Sequence, residues 1–162
     1  MWEWWIAGVI GFFVVSCVIG YFATRTRRPS KAEREAEDLR RARRDFHHQR
    51  ERLEAKFLDL AGASGKPRGL RWKDCDFADG VAYARDRQSG DLCAFVGVTI
   101  SFEAIEGGGM EEVEAVSNLR AATAVFRRTG EQWKTDGRAI FNLDPVQAIA
   151  HFQDTLMLVG EE

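Results

Sequence analysis

The sequence predicts an α+β protein: an N-terminal transmembrane helix, a helical stalk, and an antiparallel sheet of four to five strands packed by a C-terminal helix. Three observations predict it. Trp4 to Ala23 is a run of 20 residues without a charge. Apolar residues then recur at three- and four-residue spacing as far as Leu60. From Gly69 onward the period drops to two, and turn-forming residues separate the segments. The expected boundaries are 1–23 for the anchor, 24–62 for a basic juxtamembrane segment and stalk, and 69–158 for a cytoplasmic α+β domain.

The anchor comes first in the chain. At about 1.5 Å rise per residue, a helix over the uncharged run spans roughly 30 Å, the thickness of a bilayer's hydrocarbon core. Trp2, Trp4 and Trp5 at one end and Tyr21 at the other supply rings that favour the headgroup region. A cleaved export signal carries its positive charge ahead of a shorter apolar core and ends at small residues. Here Glu3 alone precedes the run, and Arg25, Arg27 and Arg28 follow it. The positive-inside rule therefore predicts an uncleaved single-pass anchor in the cell membrane, N-terminus outside and domain in the cytoplasm. The lipid bilayer is the first expected partner.

Charge is uneven along the rest. Arg25 to Lys56 holds 12 Lys/Arg against 7 Asp/Glu, whereas Phe57 to the end holds 11 against 17. An acidic distal domain argues against a nucleic-acid partner, because phosphate binding needs a positive field. Cys17, Cys75 and Cys93 have no CxxC pairing and read as reduced, small apolar residues. No ligand spacing points to a metal, and no motif to a cofactor.

The stalk opens on "RPSKAERE", where Ser30 and Glu33 can form a capping box. Leu39, Phe46 and Leu53 fall seven apart, with Phe57 four residues on. Two readings stay open. The residues form a coiled-coil seam for self-association into a homodimer, or the helix docks its last turns, with Leu53, Phe57 and Leu60, on the distal domain. Arg43 and Arg50 occupy seam positions and would demand acidic partners. The basic run "LRRARRDFHHQR" lies too far from the bilayer to touch lipid if the stalk stands upright. His47 and His48 are adjacent, not four apart, and read as solvated.

In the domain, "VAYARDRQSGDLCAFVGVTISFEAI" predicts two strands about a turn at Gln88, Ser89 and Gly90. Leu92, Ala94, Val96, Val98, Ile100 and Phe102 share one face of the second. "EGGGM" reverses the chain. A bend is expected between Val113 and Phe126, and "TGEQ" makes another turn. Trp133 and Phe141, an even number apart, point to one side. "LRW" at Leu70–Trp72 adds a short strand. Asp144, Pro145 and Gln147 announce a terminal helix with Val146, Ile149, Phe152 and Leu156 along one face. Helices are expected on one face of the sheet.

The string "AVFRRTGEQWKTDGRAIF" resembles the final hairpin of NTF2-like and cystatin-like domains. "SFEAIEGGGMEEVEAVSNLRAATAVF" with "WKTDGRAIFNLDP" resembles an uncharacterised family of bacterial, planctomycete-type, membrane-anchored proteins, over roughly residues 69–153. The second resemblance implies no activity. The first would imply a cone-shaped sheet with a pocket, although one long preceding helix departs from that pattern.

No group of residues commits to catalysis. "GGGMEE" lacks the GK[ST] of a phosphate loop. Cys93 with His151 would need to meet across the sheet, and Glu103, Glu114 and Asp136 read as solvated or paired carboxylates. Catalytic, cofactor-binding and metal residues are therefore all expected to be none. The expectation is a membrane-tethered cytoplasmic domain that scaffolds or recruits a protein partner. The alternative is an NTF2-like small-ligand-binding or enzymatic domain with its pocket between the sheet and the terminal helix.

Overall fold

A computed structural model describes residues 30–64, 69–109, 112–113 and 118–162. The expected anchor, with Trp2, Trp4, Trp5, Tyr21, Arg25, Arg27 and Arg28, lies outside the described residues, as do Cys17 and Glu114. No described helix is long and apolar enough to cross a membrane. The chain divides into two units, Met1–Asp38 and Leu39–Glu162. Of the first, the described part is the start of a helix, α1 (Lys31–Ser64). Its expected capping box is present: Glu33 N–H donates to Ser30 Oγ (3.2 Å), and Ser30 N–H donates to Glu33 Oε2 (2.6 Å).

The second unit is α+β with an antiparallel sheet, as expected, but with six strands: β1 (Leu70–Asp86), β2 (Leu92–Ala104), β3 (Arg120–Thr129), β4 (Gln132–Lys134), β5 (Ala139–Phe141) and β6 (Leu156–Glu161). A short helix, α2 (Pro145–His151), precedes β6. The strand order is β4-β3-β2-β1-β6, with β5 also paired to β3. The first hairpin turns where expected. Asp86 Oδ1 accepts from the N–H groups of Gln88 (2.9 Å) and Ser89 (3.0 Å), and Gly90 closes the turn at φ 77°. The Ser89 and then the Gln88 amide hold the Asp86 carboxyl below the usual carboxylate range.

The α1 face of the sheet carries the larger core. Leu92, Ala94, Val96, Val98, Ile100 and Phe102 all lie on it, as their alternation predicts. Ala42, Phe46, Leu53, Phe57 and Ala61 of α1 cover them. Phe46 meets Trp133 edge-on at 5.1 Å and Phe126 at 5.4 Å, while Phe57 meets Phe77 at 5.8 Å. Trp133 Nε1 donates to the Ala42 carbonyl (3.0 Å), which settles the indole's polar atom inside the core. The heptad-spaced residues dock on the chain's own sheet: Phe46 and Phe57 are fully buried there, Leu53 is nearly so, and Leu39 packs at its margin. Docking extends well beyond the last two turns, and Leu60 is only partly buried.

Three further expectations are corrected. The helices do not share one face. α2 lies opposite α1, where Ala148 and Ile149 cover Ala82, Ala84, Cys93 and Phe95. The physical signal was the unbroken apolar run "LCAFV", which marks a strand covered on both sides. The terminal helix does not reach Leu156. It ends at Phe152, its C-cap, and the chain turns into β6, which pairs antiparallel with β1 from Ala82 to Asp86. The step from Phe152 to Leu156 mimics helical spacing, but the polar Gln153-Asp154-Thr155 between them forms the turn. Finally, "LRW" is not a separate strand. It begins β1, a strand of 17 residues with irregularities between Trp72 and Asp74 and between Phe77 and Val81.

Trp133 and Phe141 do point to one side, since their partners Arg128 and Ala122 both lie on the α1 face. They belong to separate strands, however, and Phe141 stays exposed. The α2 N-terminus is built as its sequence predicts: Gln147 N–H donates to Asp144 Oδ1 (2.8 Å) and Asp144 N–H donates to Gln147 Oε1 (3.3 Å), with Pro145 in the first turn.

Candidate functional site

Once its apolar stripe is buried, α1 has two flanks. One faces β1 and β6, and the other faces β3 and β4.

On the first flank a carboxylate forms the hub. Tyr83 Oη donates to Glu162 Oε1 (2.6 Å), and His47 Nε2 lies 2.7 Å from the same oxygen. Arg43 Nη1 is 3.6 Å from Glu162 Oε2, and its guanidinium lies 5.0 Å over the Tyr83 ring. Gly160 makes room for it, since a side chain there would collide with the guanidinium. Burial, then the bond to Glu162, pushes the Tyr83 phenol far above its usual range. For Glu162, burial alone disfavours the carboxylate. The bonds from Tyr83 and His47 and the charges of His47 and Arg43 together outweigh that effect and keep it below the usual range.

One turn further on, Arg50 donates to the carbonyls of Asp79 (2.7 Å) and Ala78, which the β1 irregularity frees from the ladder, and is held by Glu54 at 2.7 Å. Both arginines of the expected seam therefore do find acids, within this fold. Tyr83 is fully buried, so its hydroxyl is closed to substrate, and the network acts as a clasp joining α1, β1 and β6.

On the second flank a groove of about 850 Å³ opens between α1 and β4. Its helix wall carries His48, Arg52 and Lys56, and its strand wall carries Lys134. Leu53 and Trp133, both 3% exposed, form the floor. No carboxylate is among the lining residues. Asp45 nearby is 3.7 Å from Arg128. Among the described residues none of His48, Arg52, Lys56 and Lys134 makes an ion pair; Arg52 Nη2 donates to Gln49 Oε1 (3.1 Å).

A third feature lies on the α2 face, where two hollows of about 380 and 550 Å³ share Ala78, Gly97, Asp144 and Pro145. Their floor is made of small residues, and Asp144 is already engaged in the α2 cap.

The other residues singled out in the sequence do not converge. Cys93 is buried under α2, with its thiol pushed up by burial, while His151 is exposed against Phe152. Burial, then Asp74, pushes the Cys75 thiol up to about 11, so it is not a ready nucleophile. Glu103 accepts from Arg71 Nε (2.6 Å), and Asp136 accepts from the Arg138 amide (3.0 Å). Among the described residues no three His, Cys, Asp or Glu side chains gather as a cation site. Sequence reasoning missed both flanks. The spacing of His48, Arg52 and Lys56 at four-residue steps was visible, but Lys134 and Glu162 join their neighbours only through the sheet. Comparison with family models, curated proteins and solved structures finds no match.

Proposed function

We propose that this protein is a single-pass, membrane-tethered interaction module that holds its α+β domain at the cytoplasmic face and recruits a protein partner there. The uncharged run from Trp4 to Ala23, followed by Arg25, Arg27 and Arg28, carries the reading. The domain supports it: aromatic and aliphatic side chains fill the space between α1 and the sheet, which leaves the chemistry on the outer surface.

A second reading, a small-ligand-binding or enzymatic domain of the NTF2 kind, draws on the hollows beside α2. It is the weaker reading, because the floor the hollows share is made of small residues and two carboxylates that border them are engaged within the fold, Asp144 with the Gln147 amide (2.8 Å) and Glu162 with Tyr83 (2.6 Å).

Two measurements test the tether. The full chain should stay in alkali-washed membranes, and deletion of residues 4–23 should release it. Gln88→Cys, in the exposed first hairpin, should react with a membrane-impermeant thiol reagent in opened vesicles and not in intact cells. Labelling of intact cells would reverse the orientation, and retention after the deletion would remove the anchor.

A further inference from the structure

The groove between α1 and β4 has a geometry that names a ligand class. His48, Arg52 and Lys56 stand four residues apart on one helix face. At about 1.5 Å rise per residue, neighbours in that row are roughly 6 Å apart and the row is about 12 Å long. In an extended peptide, side chains on one face repeat every second residue, about 6.6–6.8 Å. A chain with acidic residues at alternate positions would therefore place one carboxylate opposite each of these three side chains in turn, against the charges of Arg52 and Lys56 and the imidazole of His48. Lys134 faces the row from the strand wall. β4 ends the sheet, so its outer edge carries backbone groups that no ladder uses. With only three residues in β4, that edge adds little, and charge must supply most of the attraction. Glu131, exposed in the turn just before β4, is the acid next to that strand in sequence.

We infer that this groove binds an extended acidic segment of a partner protein, with carboxylates at alternate positions paired to His48, Arg52 and Lys56. The inference rests on the recruiting role proposed above and supplies its partner class. Two other anionic occupants fit less well. A planar lipid surface does not enter a concave groove. A single-stranded nucleic acid would need exposed rings for its bases, and Trp133, the lining aromatic, is buried in the floor.

The test uses the full chain in detergent and a short fluorescent peptide of alternating Glu and Thr. Its controls are the Gln-Thr peptide, a peptide of the same composition with the Glu residues in one block, and an oligothymidylate of equal charge. The alternating peptide should bind most tightly, and its affinity should fall as salt rises. Arg52→Glu with Lys56→Glu should weaken it by about tenfold or more. Lys73→Glu, on β1, should leave it unchanged. Both side chains of the double variant are exposed, and an unchanged melting temperature would show that the domain still folds. Equal binding of the Gln-Thr peptide, equal binding of the blocked peptide, tighter binding of the oligothymidylate, or no binding at low salt would each overturn the inference. Binding in detergent does not depend on membrane orientation. A negative result here therefore leaves the tether standing, and a failed topology experiment leaves the groove.

Discussion

Glu162 ties three elements together through one side chain, and that makes it sensitive to acid. Its folded-state pKa lies below the ordinary value. Its contribution is therefore complete above the unfolded-state pKa of about 4.3 and is lost as pH falls through the lower folded value. Glu162→Gln should lower stability at neutral pH by about 1–2 kcal/mol, since charged hydrogen bonds are replaced by weaker neutral ones. The gap to the parent should close below about pH 4 in urea titrations run at a series of pH values. A gap that stays constant into that range would mean the carboxylate is not what the clasp depends on. Gly137 makes a different residue-scale point. It has φ 78°, and an added Cβ would lie 2.6 Å from the Ala61 nitrogen of α1. Gly137→Ala combines backbone strain with a clash against helix backbone that cannot rotate away. It should cost about 2 kcal/mol or more, read as a lowered urea midpoint. A midpoint equal to the parent's would show that the β4–β5 loop does not rest on α1.

At the scale of elements, the question is which helix holds the sheet. Residue spacing pointed to the terminal helix, with Phe152 as its core-facing aromatic. The structure gives that role to α1. Phe46 is fully buried among Tyr83, Phe126 and Trp133, while Phe152 is a half-buried C-cap with the Arg138 guanidinium 5.3 Å from its ring. Phe46→Ala should therefore cost about 3–5 kcal/mol, the range for a buried aromatic cut to alanine. Phe152→Ala should cost about 1–2 kcal/mol, because less area leaves water there. Equal losses in chemical denaturation would restore the terminal helix to the main role. The hairpin turn, both capping boxes and the inward face of β2 were legible because each depends on neighbours a few residues apart. β6 was not. A short apolar strand after a short helix has no local signature that separates it from another helical turn, and only the open edge of β1 calls for it.

For the molecule as a whole, the same apolar stripe cannot serve two interfaces. A coiled coil between copies would need Phe46, Leu53 and Phe57, which α1 already spends on its own sheet. The melting temperature of the full chain should then be independent of protein concentration over a wide range, since only a linked association makes it vary. A midpoint that rises with concentration would mean that α1 leaves the sheet for a second copy.

What the sequence by itself determined is what depends on order along the chain: the uncharged run and the arginines behind it, the α+β class, the turn residues, the caps, and the alternation that turns Leu92 to Phe102 inward. The tertiary structure decided which surface each amphipathic element meets. Spacing shows that α1 has an apolar stripe, but a sheet and a second helix both satisfy such a stripe. Only the assembled sheet, with Phe126 and Trp133 brought under Phe46, shows the stripe packed within its own chain. The clasp at Glu162 and the cationic groove have the same origin. Each joins residues far apart in sequence: the four-residue steps of His48, Arg52 and Lys56 are readable along the chain, but the approach of Lys134 to them, like that of Glu162 to Tyr83, acts through space and leaves no period.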